Sequence, residues 1–361
     1  MTASLKEAVN GACNRRKAWR RLEALVNGDF LRPRRHGLGA LLPSGSRFIR
    51  EATALLAHTG NALRCPRDLG DWAGGKIQKI TLSASEDVTP AVGRMRRWMD
   101  TQLADEIACC ILHGSLGSGE VVPYSDFDAL VVIHDEVFAD PIRLGSVAWK
   151  LFLARRFMYE QDPLQHHGWF ALPEAAFDAW PEDYLPVEVI RHGRLLAGDG
   201  PRTLTLRPAG NAARLHAVFD RIAQSTLADI ASDRWRRNLH AFKSLLSKIM
   251  LMPALYVGGR DGRGVFKRDS FALARSDFPE ETWGIMRKVS AIREDWPTVR
   301  LPRPRRLTVM PGPLGEVLRR RLSPPIPPAL AARFGATECH ETERLVNIMR
   351  ARISMSRKDG G

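Results

Sequence analysis

Two almost continuous apolar runs, separated by a glycine-rich turn and two acidic residues, constrain the fold more than any other feature. The runs are "IACCIL" (107–112) and "ALVVI" (129–133), and Asp126 and Asp128 stand at the head of the second. A short apolar run bounded by turn residues is typical of a strand that is buried on both faces. We therefore expect two core strands, with carboxylates at the start of the second strand.

The flanking sequence alternates between helical and strand patterns. "TPAVGRMRRWMDTQLAD" (89–105) predicts a helix with Thr89 as its N-cap and Pro90 in its first turn. "PIRLGSVAWKLFLARRFMYE" (141–160) predicts a second helix, and "GWFALP" (168–173) predicts a third strand. This alternation indicates an α/β unit built on a small sheet.

Breaks in these patterns divide the chain into four regions. Gly198, Gly200 and Pro201 end the α/β unit, and a proline- and arginine-rich sequence follows Trp296. The predicted regions are an N-terminal extension of unknown role (1–85), the α/β domain (86–200), a domain of packed helices (201–296), and a connector that leads to a C-terminal helix (297–361).

Composition and charge narrow the setting of the chain. Of its 361 residues, 44% are hydrophobic. The sequence has no run of about 18 uncharged apolar residues, so we expect no membrane span. Five scattered cysteines and an N-terminus without the apolar core of a secretory signal predict a cytoplasmic protein without disulfides. The net charge of +14 either attracts polyanions such as nucleic acid and nucleoside triphosphates or forms a solvated basic surface.

The two aspartates indicate a divalent metal site. Residues two apart on a strand point to the same side, so Asp126 and Asp128 are expected to project together. Carboxylates about 5 Å apart repel each other by roughly 3 kcal/mol at an effective dielectric near 20. A hard divalent cation removes this repulsion, so we expect Mg²⁺, or alternatively Mn²⁺, in a two-ion site.

The preceding turn can supply a phosphate site. Gly114 allows the backbone to turn tightly, and the Ser115 hydroxyl and adjacent N–H groups can donate to phosphate oxygens. Gly117 and Gly119 are expected to keep the loop open to a bulky anion. A purely structural alternative is a glycine turn followed by a strand with an Asx turn at its head.

Here the chain resembles the DNA polymerase β-type nucleotidyltransferase superfamily. "HGSLGSGEVVPYSDFDALVV" (113–132) looks like the signature of its minimal and antibiotic-modifying members. The resemblance implies a small mixed sheet flanked by helices and followed by a helical domain. It also implies metal-binding and catalytic roles for Asp126 and Asp128. The remaining signature positions, which would hold the nucleotide, are Gly114, Ser115, Gly119 and Ser125.

One part of the signature is missing. The family usually places a third carboxylate on the next strand, but "QHHGWFAL" (165–172) contains no acid. His167 is our preferred metal ligand or general base, and His166, Asp162 and Glu188 are alternatives. The tandem histidines could equally cap a strand.

A second, looser resemblance concerns the helical region. "LMPALYVGGRDGRGVFKRDSFALAR" (251–275) is similar to the helical second domain of antibiotic adenylyltransferases. This resemblance makes Lys267 a candidate triphosphate contact, with Lys248 behind it. A solvated surface lysine is the alternative.

These features favour a Mg²⁺-dependent nucleotidyltransferase as the first hypothesis. The enzyme would transfer a nucleoside monophosphate, most often AMP from ATP in this family, to a hydroxyl of a small molecule, an RNA end or a protein side chain. The second hypothesis is a non-catalytic nucleotide- or RNA-binding regulatory protein. A third, the antitoxin half of a toxin pair, fits less well because the chain is much longer than the minimal domain.

Overall fold

The computed structural model describes residues 75–86, 89–198, 200–209, 212–299 and 321–359. The strands are β1 (Gln78–Leu82), β2 (Ile107–His113), β3 (Asp128–Ile133), β4 (Phe170–Pro173), β5 (Trp180–Pro181), β6 (Arg194–Ala197), β7 (Arg202–Leu206) and β8 (Pro208–Ala209). The helices of the first half are α1 (Pro90–Gln102), α2 (Gly114–Ser118), α3 (Asp135–Ala139), α4 (Pro141–Gln161) and α5 (Val187–Arg191). Those of the second half are α6 (Ala212–Ala231), α7 (Leu239–Asp261), α8 (Lys267–Arg275), α9 (Glu280–Glu294), α10 (Pro328–Ala331) and α11 (Ala336–Asp359).

The central sheet has four strands in the order β4-β3-β2-β6 and is mixed. β2 is antiparallel to both β3 and β6, whereas β3 is parallel to β4. The predicted strands β2, β3 and β4 are confirmed; β6, in the sequence "RLLA", was not predicted. His113 at the end of β2 pairs with Asp128 at the start of β3, so the turn between these strands opens at one edge of the sheet.

Both faces of the central sheet are buried, which explains why its strands are continuously apolar. Alternate residues of β3 pack on opposite sides: Val131 faces the core shared with α1 and α4, and Val132 faces the core shared with β1, β7 and α5. The predicted helix α4 is confirmed, and the apolar side chains on its inner face are buried: Leu144, Val147, Ala148, Leu151 and Phe152. The predicted N-cap of α1 is also confirmed, because the Thr89 hydroxyl accepts from the Val92 N–H.

A second, two-stranded sheet crosses the predicted domain boundaries. β1 pairs antiparallel with β7, so residues 78–82 from the predicted extension join residues 202–206 from beyond the glycine break. The unit around the central sheet therefore draws on residues on both sides of the predicted limits at 86 and 200. The predicted extension up to residue 74 and the proline-rich connector from 300 to 320 lie outside the described residues.

The second half of the chain forms a helical unit that combines helices of the predicted helical domain (201–296) with the predicted C-terminal helix. Helices α6, α7, α9 and α11 share one apolar core, and α11 contributes Val346 and Met349 to it. Tyr124 and Leu164, which belong to loops of the α/β unit, are buried in the same core. The α/β unit is thus attached to the helices close to Asp126. Among the described helices, none combines the length and the apolar character that crossing a membrane requires.

Candidate functional site

The turn after β2 brings Gly114 against Asp128. Gly114 has φ +62°, a backbone conformation that favours glycine, and it begins the single-turn helix α2. A Cβ at Gly114 would lie 2.5 Å from Oδ2 of Asp128. The absence of a side chain therefore allows the Asp128 carboxylate to lie directly against the turn.

The other signature residues of this loop have defined structural roles. Gly119 ends α2 with φ +79°, and Ser115 is half-buried within the turn. The Ser125 hydroxyl accepts from the Val122 N–H at 2.9 Å, which closes the loop just before Asp126. Gly117 was expected to keep the loop open, but this expectation is wrong: its added Cβ would lie 2.5 Å from the Leu112 carbonyl oxygen, so it is a packing glycine.

Asp126 is held by a buried lysine. It precedes β3, which begins at Asp128, so the argument that both aspartates sit two apart on one strand does not describe the structure. The Asp126 side chain is 8% exposed, and its Oδ1 lies 2.5 Å from Nζ of Lys243 on α7. An ammonium group, which the sequence analysis had not identified, therefore compensates the charge of Asp126.

Lys243 also binds a second carboxylate. Its Nζ donates to Oδ2 of Asp162 at 2.8 Å, and Oδ1 of Asp162 accepts from the Leu164 N–H. Burial disfavours the charged forms, but the Lys243 ammonium holds the pKa of Asp126 far below its usual range, and the two carboxylates raise the pKa of Lys243. Burial, together with the charge of Asp126, raises the pKa of Asp162 to about 7.

The tandem histidines face the other oxygen of Asp126. Nδ1 of His166 lies 3.3 Å from Asp126 Oδ2, and Nε2 of His167 lies 4.0 Å from the same atom. One ligand atom from each of these three residues lies within 4.8 Å of the others, so the group could hold a metal ion. Asp128 does not belong to this group. A metal ion bound by both Asp126 and Asp128 therefore stays a prediction.

Among the other candidate residues, Lys267 lies near the two aspartates. Lys267, at the start of α8, is half-buried; burial and the charge of Arg293 lower its pKa to about 7, while Asp128 and Asp126 oppose this shift. The structure therefore brings Lys267 into the electrostatic neighbourhood of both aspartates.

Two alternatives from the sequence lie elsewhere. Lys248, expected behind Lys267, instead donates to Asp229 at 2.6 Å and to Ser225, both on α6, so that expectation is wrong. Glu188 pairs with Arg191 on the same short helix at a partly exposed position.

Two residues of the site were missed by sequence reasoning. His113 is buried with its Nε2 lacking a hydrogen-bond partner, and burial lowers its pKa while Asp128 opposes the shift. Its position at the end of an apolar strand was the available signal. Lys243 lies on the apolar face of α7, between Leu239 and Leu246, where a lysine must find buried anionic partners.

The site therefore consists of a glycine turn with Asp128 against it, Lys267 nearby, and Asp126 between a lysine and two histidines. Comparison of the chain with models of protein families, with curated proteins and with solved structures finds no match.

Proposed function

We propose that the chain is a metal-dependent nucleotidyltransferase that transfers a nucleoside monophosphate, AMP from ATP, to an acceptor hydroxyl and releases pyrophosphate. The observation that carries this proposal is the contact between the Gly114 turn and the Asp128 carboxylate. The signature of the polymerase β-type family requires this arrangement, with a phosphate-binding turn adjoining a metal-binding carboxylate. The mixed sheet, with its turn opening at one edge, agrees with it.

The residues present fit a divalent ion. Asp128 is half-buried beside the turn, and Asp126 keeps Oδ2 free of Lys243, so each carboxylate offers an oxygen. Oxygen ligands of this type suit Mg²⁺. When bound, the ion would neutralise the triphosphate and polarise the phosphorus that is attacked.

Residues of the chain would supply the remaining steps. The Ser115 hydroxyl and the N–H groups of the turn would donate to phosphate oxygens, and Lys267 would contribute positive charge beside them. His167 is 44% exposed, so it can reach a substrate and take the proton of the acceptor hydroxyl. The acceptor oxygen then bonds to the α-phosphorus as the bond to pyrophosphate breaks.

A specific observation favours the second candidate function, a nucleotide- or RNA-binding protein without turnover. Lys243 already neutralises Asp126, whereas catalysis by two shared ions needs that carboxylate to bind metal. The basic composition would give such a protein affinity for a polyanion.

The test measures ATP binding and transfer together. Wild-type protein is incubated with Mg²⁺ and ATP labelled at the α-phosphate, with and without RNA, and pyrophosphate release and labelled products are quantified. Asp128→Asn is expected to reduce transfer at least about 100-fold, because one ion loses a charged ligand. Asp229→Asn, which alters another lysine-bound aspartate, on α6, should retain full transfer.

Three results separate the candidates. Calorimetry that detects no binding of ATP with Mg²⁺ would overturn the proposal, as would equal transfer by Asp128→Asn. RNA binding without pyrophosphate release, unaffected by Asp128→Asn, would support the second candidate instead. Thermal denaturation of each variant excludes unfolding as the cause.

A further inference from the structure

The carboxylate of Asp126 has two separate environments. Oδ1 is bound by Lys243, and Oδ2 faces His166 and His167 at 3.3 and 4.0 Å. Because Lys243 uses only one oxygen, a ligand that binds Oδ2 together with the histidines would not have to displace the lysine.

His166 lacks the partner that a buried imidazole normally has. Its side chain is 10% exposed, and neither ring nitrogen makes a hydrogen bond within the described part of the chain. A buried polar atom without a hydrogen-bond partner calls for an explanation, and a bound ion or water is one that fits a histidine beside a carboxylate. Nδ1 of His166 lies 3.3 Å from the Asp126 oxygen, so a cation bound between these two atoms would give each of them a partner.

The segment that carries the histidines is tied to the residue after Asp126. The Gln165 side-chain oxygen accepts from the Phe127 N–H at 2.9 Å. The Gln165 amide nitrogen donates to the Phe127 carbonyl at 3.0 Å and to the His167 carbonyl at 3.1 Å. One glutamine therefore ties the backbone that carries both histidines to the backbone next to Asp126.

We propose that Asp126, His166 and His167 form a site for a transition-metal ion such as Zn²⁺, Mn²⁺ or Co²⁺. Imidazole nitrogens suit these ions, whereas Mg²⁺ prefers oxygen ligands alone. Zinc binds nitrogen and oxygen at about 2.0–2.2 Å, so two atoms on one ion lie up to about 4.3 Å apart. The distances of 3.3 and 4.0 Å to Oδ2 fall within this limit.

This site differs from the one in the proposed function, which uses oxygens of Asp126 and Asp128. It shares Asp126 and His167, the proton acceptor proposed above, with that site, and it requires no nucleotide. Three protein ligands leave coordination positions open to water or substrate. The inference therefore concerns which class of metal this edge of the sheet selects, and it stands or falls separately from nucleotidyl transfer.

The experiment measures metal binding without substrate. The full chain, without a polyhistidine tag, is treated with chelator and titrated by calorimetry with Zn²⁺, Mn²⁺, Co²⁺ and Mg²⁺. Absorption of the Co²⁺ form reports nitrogen ligation. We expect one transition-metal ion per chain, bound at least about 100-fold more tightly than Mg²⁺, because imidazole suits transition-metal ions and Mg²⁺ prefers oxygen ligands.

His167→Ala is the primary variant, because its exposed side chain can be removed with little effect on folding. It should weaken Zn²⁺ binding by at least about 100-fold, because even the loss of a residue that only hydrogen-bonds to a metal ligand weakens metal binding by up to about 100-fold. His166→Asn should do the same. The matched control is His216→Asn, because His216 also lies 3.3 Å from a carboxylate, that of Asp220, but belongs to no three-residue group among the described residues.

Several outcomes would overturn the inference. The first is that no transition-metal ion binds at one per chain. The second is that Mg²⁺ binds as tightly as the transition-metal ions. The third is that Zn²⁺ binds His167→Ala and His166→Asn as tightly as it binds the wild type. Because ATP is absent throughout, failure here leaves the transfer assay unaffected. Conversely, loss of transfer in Asp128→Asn with retained Zn²⁺ binding would show that the two sites are separate.

Discussion

Lys243 is the residue on which the electrostatics of the site depend. Its side chain is 1% exposed and lies between two buried carboxylates, with the Tyr124 ring 4.6 Å from its ammonium. The Tyr124 hydroxyl donates to the Lys243 carbonyl and approaches Ser247. Tyr124 is therefore part of the packing around the lysine and is too buried to stack on a nucleotide base.

Replacing Lys243 by methionine is expected to destabilise the protein strongly. The free energy of unfolding should fall by about 3–5 kcal/mol, because the charge of Asp126 would remain buried without its counter-charge. Urea denaturation measures the change. The control Lys248→Met removes a partly exposed lysine–aspartate pair from the same helix and should cost about 1 kcal/mol or less. Similar losses in both variants would contradict the importance of the buried ion cluster.

At the level of elements, the turn between β2 and β3 sets the position of Asp128. β2 ends at His113, α2 begins at once, and the positive φ of Gly114 reverses the chain so that β3 can pair back on β2. The register that pairs His113 with Asp128 then fixes the carboxylate beside Gly114. Turn and carboxylate are thus positioned by one antiparallel ladder.

Substituting alanine for Gly114 tests this arrangement. Gly114→Ala should destabilise the protein by about 1–3 kcal/mol through its positive φ and should also displace Asp128, whose oxygen would lie 2.5 Å from the new Cβ. Gly262→Ala is the matched control, because its φ is +70° but its added Cβ would meet only an ordinary contact at 3.5 Å.

Stability and ATP binding with Mg²⁺ are measured for both glycine variants. Both should lose comparable stability, but only Gly114→Ala should weaken ATP binding, because only there does the new methyl group meet a site carboxylate. If Gly262→Ala reduced ATP binding as much, backbone strain alone would explain the effect.

At the scale of the whole molecule, the site lies where the α/β unit meets the helical unit. Asp126 and Asp162 come from loops around the sheet, and Lys243 comes from α7, so their ion cluster joins the two units. Lys267 on α8 is a second lysine from the helical unit, and the charges of Asp126 and Asp128 act on its pKa. The helical unit therefore completes the charge balance of the site.

The pH dependence of stability should show this junction. The pKa of Asp162 is raised to about 7 in the folded protein, compared with about 3.9 in an unfolded chain. Between about pH 4 and 7 the folded state holds a proton that the unfolded state has lost. The contribution of Asp162 to stability should therefore decrease as the pH rises through this window, by up to about 1.4 kcal/mol per pH unit.

Asp162→Asn should remove this slope. The free energy of unfolding of the wild type and the variant is compared by denaturant titration between pH 4 and 8. Asp229→Asn, which leaves Asp162 in place, should keep the wild-type slope. Parallel profiles of the wild type and Asp162→Asn would show that Asp162 is ionised over the whole range.

Local sequence determined the elements and the turn. Apolar runs predicted β2, β3 and β4, helical periodicity predicted α4, and Thr89 and Pro90 marked the start of α1, because these signals depend only on neighbouring residues. The glycine and aspartates of the loop also predicted a site at this edge of the sheet, which stays a prediction. Short strands such as β1 and β6 were missed, because four or five residues carry little periodicity without their pairing partners.

Tertiary structure decided the partners of Asp126. Lys243 is more than a hundred positions away in sequence and meets Asp126 only because α7 packs against the loop that carries it. The roles of His166 and His167 were open in the sequence for the same reason, since β3 and β4 must pair before these side chains face a carboxylate. Charge compensation in a buried site depends on distances of a few ångströms between remote segments, and no local pattern encodes those distances.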